Sequence, residues 1–547
     1  MHKVDNPRVL ELLLRYVEHK THTGTELENN NINFFKTWFE EVPYLKENPS
    51  NCGFYPIKND PLKRNVCYAM LKGTGNKTVV MIHHTDTVDT DDYGKYKEAA
   101  YHPYDLEEIL KSGEIMIDDA AKKDLESGEW LFGRGASDMK SGGSVHLAIF
   151  EEFSKKENFE GNLIILGVPD EENSSAGMRA AVHLLKELKE KYNLDYILML
   201  NGEPHERIDE NKISLYDGSA GKIMPVVYVR GKLAHVGQIF KGLNPISVLS
   251  EIVRNTELNP DFIEKRGNTA TLPPTWLYFK DNKEVYDVSL PLSATGYMSV
   301  LTLYRDPFDI MEDLKKIAKT SFVEVLKRSR LSLAEYTKVG TIDYGKMEWE
   351  PVVLHYGELL EKVIEEKGEA VRTEIKDFSE RVAEMVKKHE ISRIQGSNML
   401  IEKVIEYWSF KDPVVVLAMS PPYYPATSNS MLESGKEIDS LIEELMAYSK
   451  EELSTEIEVQ NYFTGISDLS YAMFNGDNKA IKYIEDNMLL WGKSYTVPLA
   501  EIRDISMPVL NIGSWGKDLH KYTERILIKD LTDRVPKLTR FTLNTLL

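Results

Sequence analysis

Four strand-length apolar runs in this chain each end in side chains that bind protons or metals, and this pairing restricts the fold more than any other feature. Thr78 to His83 (TVVMIH) is followed by His84-Thr85-Asp86, and Leu163 to Val168 (LIILGV) by Pro169-Asp170-Glu171-Glu172. Tyr196 to Leu200 (YILML) is followed by Asn201-Gly202-Glu203-Pro204, and Val509 to Gly513 (VLNIG) by Ser514-Trp515-Gly516 and then His520. A fifth group, Asp138, closes the glycine-rich stretch Gly133 to Ser137. Helical patterns lie between the runs, at Ser141 to Lys155 and Ser174 to Tyr192. Uninterrupted apolar runs suit strands covered on both faces, so the expected fold class is α/β, a sheet flanked by helices. Open sheets of this class bind ligands beyond the carboxyl ends of their strands. The acids and imidazoles are therefore expected to gather at one rim.

The N-terminal part reads as two helices. Pro7 to Val17 carries Val9, Leu10, Leu13, Leu14 and Val17 on one face, with Asn6 as its cap and Pro7 at the first helical position. Ile32 to Val42 repeats the pattern with Phe34, Phe35, Trp38 and Phe39. After Tyr216 the pattern changes. Lys222 to Arg230 reads as a strand, Pro245 to Thr256 as a helix, Ala294 to Tyr304 as a strand and Pro307 to Lys327 as a helix. The expected organisation is a larger sheet domain in two parts, 1–216 and 333–547, with a smaller inserted α+β unit at 217–332; the family resemblance given below implies that these are a catalytic domain and a lid or dimerisation domain. Gly357 to Phe410 is charged at helical spacing and reads as solvated helix surface. The stretch Asp89 to Trp130 is acidic, and against the family resemblance given below it reads as an insertion that shapes or covers the rim.

Taken singly, none of the polar groups means much. A lone His-x-Asp is usually a satisfied polar turn, and a Glu-Glu pair is usually surface. A gathering of this many carboxylates at one rim would repel itself. Divalent cations remove that repulsion, and mixed His and carboxylate donors suit zinc, cobalt or manganese. His83 reads as packed, His146 as ordinary and His205, after the Gly-Glu-Pro turn, as a candidate to support Glu203.

With those residues in order, the sequence resembles the family of metal-dependent aminoacylases, dipeptidases, glutamate carboxypeptidases and succinyl-diaminopimelate desuccinylases, the M20-like metallopeptidases. His84-Thr85-Asp86-Thr87-Val88 resembles its first motif and Gly133 to Gly142 its second. Asp170-Glu171-Glu172 and Gly202-Glu203-Pro204 resemble the third and fourth, and Gly513 to Glu524 the last. Gly231 to Gly237 with Gly242 to Ile246 resembles its lid motif. Pro273-Pro274-Thr275 and Pro421 to Pro425 look like the arginine-utilisation deacylase branch.

The resemblance implies a zinc-exopeptidase-like fold and two divalent metal ions, zinc in the first instance with cobalt or manganese as alternatives. It implies that His84 and Glu203 hold one metal, that Glu172 and His520 hold the other, and that Asp138 bridges both. Asp86 would orient His84 through the ring's far nitrogen. Glu171 would be the general base, and His235 would reach into the site from the lid and steady the oxyanion. It implies a cis peptide between Asp138 and Met139, and a lid that hinges and pairs with a second lid in a homodimer, so that His235 serves the neighbouring site. Arg305 resembles a lid arginine that touches substrate, with a salt bridge at a strand end as the other reading. One departure stands out: Gly465 to Ser470 resembles a family loop, but no Arg follows within it, which speaks against clamping a substrate carboxylate there.

Composition narrows the partners. A formal charge of −20 opposes binding to nucleic acid or anionic membranes. Two cysteines are too few for a disulfide framework or a Cys-rich zinc site. The start of the chain lacks the apolar stretch of a signal peptide, and runs such as Val414 to Met419 are too short to span a bilayer, so a cytoplasmic location is expected. The expected function is metal-dependent hydrolysis of an amide in a small N-acyl amino acid or peptide. Dipeptidase, aminopeptidase or carboxypeptidase activity is the alternative within that chemistry. A non-catalytic binding protein on the same fold is the alternative of another class, disfavoured because all five presumed ligands and the base are present. No G-x-S-x-G elbow follows a strand, which disfavours a serine hydrolase.

Overall fold

The computed structural model describes residues 4–547 except 268, 464 and 466. An eight-stranded mixed sheet organises the larger part. Its order is Cys52–Pro56, Asn65–Leu71, Asn162–Val168, Lys77–His84, Asp195–Asn201, Val509–Asn511, Lys212–Tyr216 and Glu456–Gln460. The four strands from Asn162–Val168 to Val509–Asn511 run parallel, so their carboxyl ends share one rim. These are the runs read from the sequence as buried strands.

Side-chain alternation along these strands sorts residues into two layers. Val79, Met81, Leu163, Ile165, Leu198 and Leu200 face one core with the helices Pro7–Val17, Lys140–Phe153 and Val535–Leu546. Val80, Ile82, Ile164, Leu166, Val168 and Met199 face the other, with the helix Ala176–Tyr192. Asn6 caps the first helix as expected, accepting from Arg8 and Val9 main-chain N–H groups.

The helix Lys140–Phe153 lies unusually close to the rim. A Cβ on Gly142 would come within 2.2 Å of the Gly202 carbonyl oxygen, and one on Gly513 within 1.8 Å of the Glu203 carbonyl oxygen. Only hydrogen at these positions lets three segments close around Glu203.

The second sheet has the order Thr275–Asp281, Ser293–Thr302, Pro225–Arg230, Val414–Met419 and Val353–His355, with Gly221–Ile223 paired to the far end of Ser293–Thr302. Pro245–Thr256 and Pro307–Thr337 cover one face. Tyr356–Lys367, Glu369–Lys387 and Arg393–Tyr407 cover the other. The inserted unit is thus larger than expected. The boundary at 332 falls inside the helix Pro307–Thr337, and two strands of the sheet come from beyond it. Val414–Met419 was readable as a strand, but its choice of sheet is set by packing that local pattern does not encode. Gly357 to Phe410 is indeed helical and charged, yet its apolar stripes (Leu359, Val363, Val382, Leu400, Val404) form a covering layer.

The acidic insertion folds as Pro103–Ser112, Asp119–Ser127 and the strand Trp130–Phe132, and it buries Tyr93 and Tyr101. Among the described residues no helix is long and apolar enough to cross a membrane. Cys52 and Cys67 are free thiols.

Candidate metal centre

His84 closes its strand, and its two ring nitrogens have different partners. Nδ1 lies 3.0 Å from the main-chain oxygen of Asp86. Donation there fixes the tautomer and leaves the Nε2 lone pair free to bind a cation. Nε2 lies 2.9 Å from one Asp138 oxygen and 3.8 Å from Glu203 Oε1. The other Asp138 oxygen lies 3.1 Å from His520 Nε2, which is also 2.9 Å from Glu172 Oε1. All five expected ligands therefore come together, in two halves joined by one carboxylate. Donor atoms of His84, Asp138 and Glu172 lie within 4.8 Å of one another. Three carboxylates and two imidazoles, the His84 ring held with Nε2 toward the others, fit a pair of divalent cations.

The electrostatics follow from burial. Burial alone would raise Asp138, but the His520 and His84 imidazoles on its two oxygens outweigh it and hold it well below the usual carboxylate range. Burial pushes Glu203 up to about 7, with His84 working against it. Glu171 is driven well above the ordinary value by burial, opposed by His84 and reinforced by the Glu203, Asp468 and Glu172 carboxylates. A buried carboxyl of raised basicity beside a cation site is what general-base work needs.

Asp86 has a different job from the one expected. Its carboxylate is 3.8 Å from His84 Nδ1, while the carbonyl of the same residue is closer. Its oxygens instead accept from the main-chain N–H groups of Glu171 (3.1 Å) and Glu172 (3.4 Å) and from the Thr23 hydroxyl (2.9 Å). The tight turn after the strand brings the carbonyl, not the carboxylate, to the ring. Asp86 thereby ties the Glu171-Glu172 loop to the His84 strand.

His235 is not brought to the centre. It is exposed after the strand Pro225–Arg230, its Nδ1 accepts from Gly237 N–H at 3.0 Å, and its backbone bridges to Ser289. Arg305 forms a 2.5 Å ion pair with Asp313, the salt-bridge reading. His83 is packed against Phe35 and Tyr16, and His146 is buried beside His83 and Gly202. His205 is buried edge-on to Tyr216. The Asp138–Met139 peptide is cis, as the resemblance implies, and so is Pro421–Pro422. Ile466, in the loop without an Arg, lies outside the described residues.

Two supports escaped the sequence. Glu524 is fully buried and its Oε1 accepts from the main-chain N–H groups of Gly135 (2.9 Å), Ser137 (3.2 Å) and Asp138 (3.2 Å), while Oε2 pairs with Arg134 at 2.6 Å. It holds the loop that presents Asp138. Arg64 binds Asp170 (2.6 Å), Glu28 (2.8 Å) and Asp60 (2.8 Å), and Asp170 in turn accepts from Ala176 N–H at 3.0 Å. That network sets the turn before Glu171. The only available signal was an Arg inside each loop, each needing a buried acid from a distant segment.

Peptidase family M20/M25/M40 matches residues 112–540 of the chain. The chain is 30% identical over 542 residues to the uncharacterized protein YqjN of Bacillus subtilis, covering 98% of this chain and 96% of that one. It is 30% identical over 533 residues to the protein RocB of the same organism, covering 95% and 91%. Among solved structures, the M20 family metallo-carboxypeptidase Sso-CP2 from Sulfolobus solfataricus superposes with a TM-score of 0.52 at 12% identity, covering 98% of each chain.

Proposed function

Since this chain belongs to peptidase family M20/M25/M40, whose members are metal-dependent hydrolases, we propose that it hydrolyses the amide bond of a small N-acyl amino acid or short peptide. The observation that carries the reading is Asp138, with an imidazole on each oxygen and Glu203 and Glu172 on either side. His84 and Glu203 would hold one cation, His520 and Glu172 the other, with Asp138 shared. Bound there, two divalent cations, zinc in the first instance, would acidify a water and offset charge developing on the scissile carbonyl.

The chain's own residues do the rest. Glu171 takes the water's proton and delivers it to the leaving nitrogen. Asp86 fixes the loop that carries Glu171, and Glu524 fixes the loop that carries Asp138. His235 supplies a donor to the oxyanion when a lid closes. Its exposure supports a role in a neighbouring chain's site. So does the lid's edge strand Thr275–Asp281, where Leu277 is 53% and Phe279 44% exposed. A homodimer joined through the lids would cover that edge. Its partners would be small substrates rather than nucleic acid, in keeping with the negative charge.

The test is a screen of N-acyl amino acids and dipeptides against protein loaded with zinc, cobalt or manganese, reading free amine. Turnover that vanishes on chelation and returns with metal supports the proposal. No turnover across the panel in fully loaded protein overturns it.

A further inference from the structure

Asp468 is a further buried carboxylate beside this centre, with the Ser175 hydroxyl as its only neutral neighbour in reach and no cation paired with it among the described residues. It is 4% exposed, and neither of its oxygens has a hydrogen-bond partner among the described residues. Ser175 lies alongside, but its hydroxyl is directed to the Tyr424 oxygen at 3.5 Å. The guanidinium groups of the surrounding loops are committed elsewhere. Arg64 serves Asp60, Glu28 and Asp170; Arg179 donates to the Ser174 and Thr496 carbonyls; Arg393 donates to the Ser174 hydroxyl. A buried carboxylate left like this costs more than a hydrogen bond contributes, so one is expected to have a partner in the working protein.

The position of Asp468 says where that partner comes from. Its neighbour Ser467 accepts a hydrogen bond from Asn201 at 3.1 Å, and Asn201 reaches Glu203 at 3.5 Å. Its charge is felt by Glu171 and by the buried Tyr424 hydroxyl. It therefore lies beside the expected metal ligands and the base, close enough for the His84, Asp86 and Glu203 charges to act on it. The charge balance points the same way. Asp86, Asp138, Glu171, Glu172, Glu203 and Asp468 are all buried or nearly so, and fully ionised they would carry two more negative charges than a pair of divalent cations would supply. One excess charge belongs to Glu171, which needs it to accept a proton. The other is Asp468.

We propose that Asp468 anchors a cationic group of the substrate, an ammonium or guanidinium within reach of the scissile amide, and so selects cationic substrates over neutral ones. The proposal rests on the hydrolase reading above and names the substrate class of that site. An ion pair to a buried carboxylate discriminates strongly, because a neutral isostere leaves the carboxylate without a partner.

The experiment uses metal-loaded full-length protein and two isosteric pairs. N-acetylarginine against N-acetylcitrulline probes a side-chain cation, and alanyl-leucine against lactoyl-leucine probes an α-ammonium. Both turnover and calorimetric binding to the Glu171→Gln protein are read. The wild type should favour the cationic member of at least one pair by about 100-fold in kcat/KM or in affinity. Asp468→Asn should collapse that ratio to near one with metal content unchanged. Equal treatment of both members in both pairs overturns the proposal, whether or not Asp468→Asn folds, and so does a preference that survives the substitution. Asp468-dependent binding of a cation without hydrolysis would uphold the anchor while sinking the hydrolase reading. Hydrolysis without cation preference would do the reverse.

Discussion

Glu171 and Glu172 are adjacent and of the same residue type yet face different tasks, so they make the sharpest residue-scale contrast. Glu172 meets His520 at 2.9 Å, whereas Glu171 sits buried and raised in basicity. Glu171→Gln should lower kcat by about 10³-fold, within the range expected for losing a general base, and leave metal content unchanged. Glu172→Gln should instead weaken metal binding at least about tenfold by titration. Equal metal loss in both would refute the division. Glu524→Gln removes the charge opposite Arg134 in a buried pair, and should cost about 3 kcal/mol in denaturant unfolding and weaken metal binding. A loss under about 0.5 kcal/mol, the level of an ordinary surface change, would show that Glu524 does not hold the Asp138 loop. Four of the expected ligands were legible because they come after apolar runs, and a strand end is a place the local pattern defines; Asp138 stood out only through the glycine-rich stretch it closes. Glu524 and Arg64 were not, since a buried acid and its guanidinium meet only when distant segments pack. Asp86 was legible as important but not in its partner, which depends on which way one turn carries its carbonyl.

At the scale of elements, the approach of the helix Lys140–Phe153 to the rim depends on Gly142. Gly142→Ala would drive a methyl into the Gly202 carbonyl, 2.2 Å from its Cβ position, and backbone cannot yield as a side-chain tip does. We expect about 2 kcal/mol or more of lost stability, together with weaker metal binding, because Glu203 follows Gly202 directly. An unchanged melting temperature and metal affinity would mean that the helix can retreat without cost. The buried strands were readable as uninterrupted apolar runs, though not which core each of their residues would face, and the helices from their apolar stripes and the Asn6 cap. The extent of the inserted unit was not. Val353–His355 and Val414–Met419 are short apolar segments that would suit either sheet, and only the helices packed on them decide.

At the scale of the whole molecule, the expected ligands gather at the rim of one sheet while His235 lies exposed and touches none of them. His235→Ala should lower kcat by about 10²-fold while metal content holds, since an oxyanion donor acts on the transition state. Sedimentation velocity should show a dimer at micromolar concentration. A fully active monomer would confine His235 to closure over its own site. Underlying all of this is the claim that Asp138 joins two cation sites. Anomalous diffraction from crystals of zinc-loaded protein tests it most directly. Two peaks about 3.5–4 Å apart should flank the Asp138 carboxylate, one bounded by His84 and Glu203 and the other by His520 and Glu172. A single peak, or zinc bound away from Asp138, would contradict it.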